Sequence, residues 1–248
     1  MKYFLVAVQF LTILPVKIRS KVSEGDLGKS LSYFPLAGLV IGLLLAVVVN
    51  IFIFLPDLVK AAFVLIVSVC VTGAIHLDGF ADTCDGFYAS LSKEKVLEIM
   101  RDSHLGAMGM IGVVCILLLK FTLITAIPKD ILWKGLIVMA VFSRWCQVLA
   151  CYVSRYARVE GKARPFVRYD SKGEFLIASL LTILIFLLLM GVNGLVLFAF
   201  SLLPILLLIN YIKHRIGGMT GDTIGAVSEC AEAVILFFVL ICSSWLCF

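Results

Sequence analysis

Asp78, Asp82 and Asp85 stand at i, i+4 and i+7 in the stretch from Gly73 to Gly86. Wound as a helix, that spacing gathers three carboxylates on one face, where like charges repel one another. No Lys or Arg occurs between Lys60 and Lys93 to neutralise them locally, so a bound cation is expected. Oxygen-only ligands suit a hard ion such as Mg2+, which takes a few carboxylates, retained waters and substrate phosphates. A solvated acidic face on an ordinary loop helix would have the same spacing. The apolar complement of Phe80, Ala81, Cys84 and Phe87 favours the cation, because it fixes the direction in which the aspartates point. His76, two residues before Asp78, is placed to take a proton or orient an attacking hydroxyl, with Asp82 and Asp85 as its companions in catalysis. A hydrogen-bonded structural histidine at a membrane interface is the alternative.

A second acidic set follows a glycine-rich turn, Gly217-Gly218-Met219-Thr220-Gly221-Asp222, with Glu229 seven residues beyond Asp222 and Glu232 deeper still. Gly221 allows close approach of a ligand to the backbone, and amides opening a helix favour phosphate oxygens. Asp222 and Glu229 therefore join Asp78, Asp82 and Asp85 as candidate metal ligands. Further substrate contacts are expected from Arg101 and Asp102, from Arg155, Arg158, Lys162 and Arg164, and from Arg144. Several of the arginines would also serve as ordinary membrane-surface anchors.

What must position these residues is a membrane bundle. The chain is 62% hydrophobic and only 15% charged, with a mean hydropathy of +1.12, far from the roughly 25% charged content of soluble domains. Apolar stretches near 33–55, 60–77, 106–127, 132–153, 175–190, 194–212 and 230–248 predict about seven transmembrane helices. The apolar N-terminus is expected to remain as a short interfacial or re-entrant helix, and Ser92 opens an amphipathic cytoplasmic helix with Val96, Leu97 and Met100 on one face. The expected fold class is thus all-α, a single integral membrane catalytic domain over residues 1–248. Segments 17–32, 78–105, 154–174 and 213–229 share one side and hold fifteen of the twenty-one Lys and Arg. The positive-inside rule puts that side, and both acidic sets, in the cytoplasm of a cytoplasmic (inner) membrane protein. No basic tract is interleaved with aromatics, so the lipid bilayer and not nucleic acid is the expected macromolecular partner; a homo-oligomer stays open. Two cations fall inside spans. Lys120 is expected to snorkel outward, whereas Arg144 faces the bundle interior or a wet cavity, is satisfied by carbonyls or lipid phosphate, or pairs with Glu232.

These residues resemble the membrane-bound cobalamin synthase family, adenosylcobinamide-GDP ribazoletransferase. The resemblance rests on Phe10-Leu11-Thr12, Phe34-Pro35-Leu36 with Gly38 and Gly42, His76-Leu77-Asp78-Gly79 with Asp82 and Asp85-Gly86, Asp102-Ser103 with Gly106 and Gly109, and Thr220-Gly221-Asp222 with Gly225-Ala226 and Glu229. It implies that adenosylcobinamide-GDP reacts with alpha-ribazole or its 5′-phosphate, giving adenosylcobalamin or its phosphate and releasing GMP. One or two Mg2+ ions would bridge the diphosphate. A CDP-alcohol phosphotransferase would also use clustered aspartates, but its Asp-Gly-x-x-Ala-Arg pattern is not met at Asp78-Gly79-Phe80-Ala81-Asp82. A secondary transporter would want ionisable groups near the midplane and a repeat.

Overall fold

The computed structural model describes residues 1–18, 20–89, 92–102, 104–169 and 172–243. Ser103 of the Asp102-Ser103 motif and the far end of the last expected span lie outside the described residues. Among the described residues the regular elements are helices, apart from one isolated parallel bridge between Tyr156 and Met219.

Helix α1 (Lys2–Leu11) packs beside α2 (Glu24–Ser30), whose start carries a reciprocal cap between Ser23 and Asp26. A 3-10 turn then leads into α3 (Phe34–Ile51), with Pro35 in its first turn, where a missing amide proton costs nothing. After α4 (Asp57–Thr72) the chain turns a corner of 91° into α5 (Ile75–Ala89). Two consecutive left-handed residues, Gly73 (φ 61°) and Ala74 (φ 57°), make that corner. The acidic helix is therefore separate from the span before it, and the expected apolar stretch 60–77 stops as a helix at Thr72. Helix α6 (Lys93–Ile99) is capped by Ser92 and buries Val96 and Met100, as its pattern predicts. It leads to α7 (Ala107–Ala126), α8 (Lys129–Tyr152), the short α9 (Arg164–Arg168), α10 (Lys172–Ile216) and α11 (Gly221–Ser243).

Helix α8 is the axis of the bundle, buried along nearly its whole length between α3, α10 and α11. Gly38 and Gly42 of α3 let the two backbones approach closely: a Cβ on Gly42 would lie 2.6 Å from the Ile137 Cα. The outward faces of α3, α7 and α10 carry exposed Leu43 and Val47, Val114 and Leu118, and Leu180 and Leu184, at the helical spacing of stripes that face lipid.

Among the described residues five stretches are long and apolar enough to cross a bilayer, or six if the bent pair α4 and α5 counts as one. The expected seven is not reached on that count, which takes α10 as a single stretch. Expected spans 175–190 and 194–212 are both contained in α10, which breaks at Gly191 (φ 59°, ψ −148°). Phe186 and Phe198 lie with ring centroids 5.6 Å apart, whereas twelve residues of straight helix would separate them by about 18 Å. The two arms thus fold back on one another. A Cβ at Gly191 would meet nothing within 4 Å, so Gly191→Ala tests the backbone alone. It should lower stability by about 1–3 kcal/mol, read as an earlier thermal transition of the detergent-solubilised protein. An unchanged transition would contradict the reversal at this residue.

Candidate active site

The cleft lies where the C-terminal end of α8 meets the beginnings of α5 and α11. Thr220 and Thr223 cap α11 reciprocally: the Thr220 amide donates to Thr223 Oγ1 at 2.8 Å, and the Thr223 amide to Thr220 Oγ1 at 3.2 Å. That cap fixes Asp222 in the first turn. Helix α11 rides directly on α5, since a Cβ on Gly79 would lie 2.7 Å from the Asp222 Cα and one on Gly225 3.1 Å from the His76 Cα. These two glycines are what bring the acids of separate helices together.

Asp78, Asp222, His76, Lys162 and Gly221 line one cleft of about 190 Å³. Asp82 stands one turn along α5, near enough to Asp222, Asp78 and Asp85 for their charges to act on it. Arg158 is the counter-charge, its Nη1 2.8 Å from Asp222 Oδ2 and its Nη2 donating to the Met100 carbonyl at 3.2 Å. The loop that carries Arg158 is held against the turn before α11. The Ala157 amide donates to the Met219 carbonyl and the Met219 amide to the Arg155 carbonyl, both at 2.8 Å. Burial pushes the Tyr156 hydroxyl above its usual range, with Asp222 adding to the effect and Arg158 opposing it. His76 is 6% exposed, and its Nδ1 has no hydrogen-bond partner.

Other residues expected at the site go elsewhere. The Asp85 carboxylate accepts from the amides of Gly106 (2.8 Å) and Gly109 (2.7 Å), and so caps α7 from outside. Glu229 is paired with Lys120 at 2.6 Å, away from the cleft lining. Arg144 is fully buried. Its Nη1 donates to Glu232 Oε1 at 2.8 Å, Ser143 Oγ at 2.7 Å and Ser228 Oγ at 3.0 Å, which leaves it pointing into the bundle and not at a phosphate. Of the alternatives weighed for Arg144, the pairing with Glu232 is the one observed. Lys120 does not snorkel; at 3% exposure it bridges Glu229 and Glu232, each at 2.6 Å. The amine is satisfied instead by the two carboxylates within its reach.

Arg101 and Arg155 are exposed and not part of the cleft wall. Arg164 faces a separate groove with Glu24 and Tyr169. Asp102 is exposed, and its contact with His104 Nδ1 at 2.6 Å holds its carboxyl below the usual carboxylate range. Sequence reasoning missed Gln147, which lines the cleft while only 1% exposed. Its signal was a polar side chain in an apolar helix, three residues after Arg144 and on the same face. Among the described residues no three His, Cys, Asp or Glu side chains are already gathered as a metal site.

The fold and cleft together define a polytopic helical membrane protein with a polar internal site at one end of its bundle. The chain belongs to the cobalamin-5-phosphate synthase (CobS) family, whose model matches residues 3–240. A protein of Geotalea daltonii named adenosylcobinamide-GDP ribazoletransferase is 37% identical over 95% of this chain and 96% of its own length. Proteins of the same name from Alkaliphilus metalliredigens (39%, 97% of this chain and 96% of that one) and Clostridium acetobutylicum (35%, 94% and 93%) are similar. The resemblance drawn from the motifs is thus upheld at the level of the family. No solved structure matches the chain.

Proposed function

We propose that the protein transfers the adenosylcobinamide phosphate group from adenosylcobinamide-GDP to alpha-ribazole or its 5′-phosphate, releasing GMP, in a Mg2+-dependent reaction at the cytoplasmic face of the inner membrane. This reading is supported above all by one juxtaposition: Asp78 and Asp222, from helices far apart in sequence, line the same cleft as His76.

A hydroxyl of the ribazole attacks the phosphorus attached to the cobinamide arm. The new P–O bond forms as the bond to the bridging anhydride oxygen breaks, and GMP carries that oxygen away. His76, with a ring nitrogen unpartnered beside the cleft, receives the proton of the attacking hydroxyl. Lys162 and Arg158 hold the anionic diphosphate, Arg158 exchanging part of its contact with Asp222 for phosphate oxygens. Asp78, Asp82 and Asp222 would hold Mg2+. Their hard oxygens fit that ion, and a partly assembled donor set is what Mg2+ uses when substrate phosphates and waters complete its shell. When bound, the ion supplies charge stabilisation to the diphosphate and to the departing GMP. The cytoplasmic orientation is supported by the basic residues of the two segments that carry Lys162 and Asp222, 154–174 and 213–229.

The test is GMP release by the purified protein in nanodiscs. Release is expected only with adenosylcobinamide-GDP, alpha-ribazole (or its 5′-phosphate) and Mg2+ all present, and chelation of the metal should abolish it. Release at the same rate without the ribazole acceptor would overturn the transfer reading.

A further inference from the structure

The cleft has two unlike halves. One holds the acids and Lys162; the other is walled by Phe10, Phe34 and Phe166, whose rings pack at centroid distances of 4.6 Å (Phe10 to Phe166) and 5.6 Å (Phe34 to Phe166). Two deeply buried nitrogens without hydrogen-bond partners belong to residues of the same cleft, Gln147 Nε2 and His76 Nδ1. Gln147 Nε2 is a donor, and left unpaired it costs stability that the protein recovers only when something accepts from it. The cleft, at about 190 Å³, is smaller than the roughly 300–1,000 Å³ of sites that enclose a whole drug-sized ligand. It therefore takes one fragment of the substrates and not all of either.

We propose that this aromatic half seats the base of the acceptor nucleoside, and that Gln147 is a specificity residue donating from Nε2 to the one free ring nitrogen of a benzimidazole-type bicycle. The proposal rests on the transferase reading given above. A benzimidazole offers two apolar faces and a single acceptor, which matches an apolar wall with one amide donor beside the histidine. Guanine, the other base in the reaction, displays O6 and N7 acceptors and an N2 amino donor and would need more partners than the buried floor provides. With the base against the phenylalanines, the ribose hydroxyls lie toward His76 and Asp78, where the transferred phosphorus must be met.

The experiment compares alpha-ribazole with an analogue whose free ring nitrogen is replaced by C–H, using wild-type protein and Gln147→Leu, full-length in nanodiscs. The analogue should raise the acceptor KM of the wild type by about three- to tenfold, the size of one neutral hydrogen bond. Gln147→Leu should show a similar rise with alpha-ribazole, no further rise with the analogue, and an unchanged KM for adenosylcobinamide-GDP. Equal handling of the two acceptors by the wild type overturns the proposal even if the variant fails to fold, and so does a Gln147→Leu effect confined to adenosylcobinamide-GDP. Wild-type protein that releases GMP with neither acceptor sinks the transferase reading itself, a different failure.

Discussion

Asp82→Asn should lower Mg2+-dependent GMP release at least about a hundredfold while leaving the fold as stable as before, or slightly more so. The activity loss follows from removing one charge from a set that must hold a divalent ion: a few kcal/mol of charge stabilisation corresponds to about two to three orders of magnitude in rate. The stability sign follows from the balance of charge. Asp82 feels Asp78, Asp85 and Asp222, with Arg158 as the opposing charge acting on it, so in the metal-free protein neutralising one carboxylate relieves repulsion. Activity and thermal transition are to be measured on the same preparation. A variant that loses both together would mean that Asp82 holds the bundle together and does not serve the chemistry.

Glu232→Leu should have the opposite signature. Glu232 is shared by Lys120, at 2.6 Å, and Arg144, at 2.8 Å, with both cations at 3% exposure or less. Removing it strands positive charge in the interior, a loss of about 3–5 kcal/mol. Glu229 is already paired with Lys120 at 2.6 Å, so Arg144 is the cation that loses its carboxylate. The thermal transition should fall sharply. Replacing Lys120, Arg144, Glu229 and Glu232 together by leucine should recover most of that loss, because a well-packed apolar set avoids the desolvation that the ions require. A single variant as stable as the wild type would mean that water reaches this cluster.

The acidic helix was legible because three aspartates at helical spacing, set among apolar residues, make a self-repelling face that a cation relieves. What the spacing concealed was distance along the axis. Asp85 lies seven residues beyond Asp78, and Glu229 seven beyond Asp222, about 10 Å in each case. That rise keeps each on the same face yet carries it past the cleft, Asp85 to the amides of α7 and Glu229 to Lys120. Partners so remote in sequence, 109 residues for Lys120 and Glu229, leave no local mark. The reversal within α10 could be read from the break between two apolar runs at Gly191. The corner before α5 could be read only in part: Gly73 signals a helix end, but nothing about an alanine at 74 announces a left-handed backbone. Gln147 was overlooked since a lone amide in a span is commonly satisfied within the bundle.

The buried ion cluster also bears on how the chain is made. Lys120 and Arg144 enter the bilayer on α7 and α8, while both of their acids arrive on α11, the last of these helices to leave the ribosome. Until then two unpaired cations sit in or near hydrocarbon, each at about 2.5–3.5 kcal/mol on insertion scales. The middle helices thus reach their full stability only when α11 is in place and its two acids meet the waiting cations.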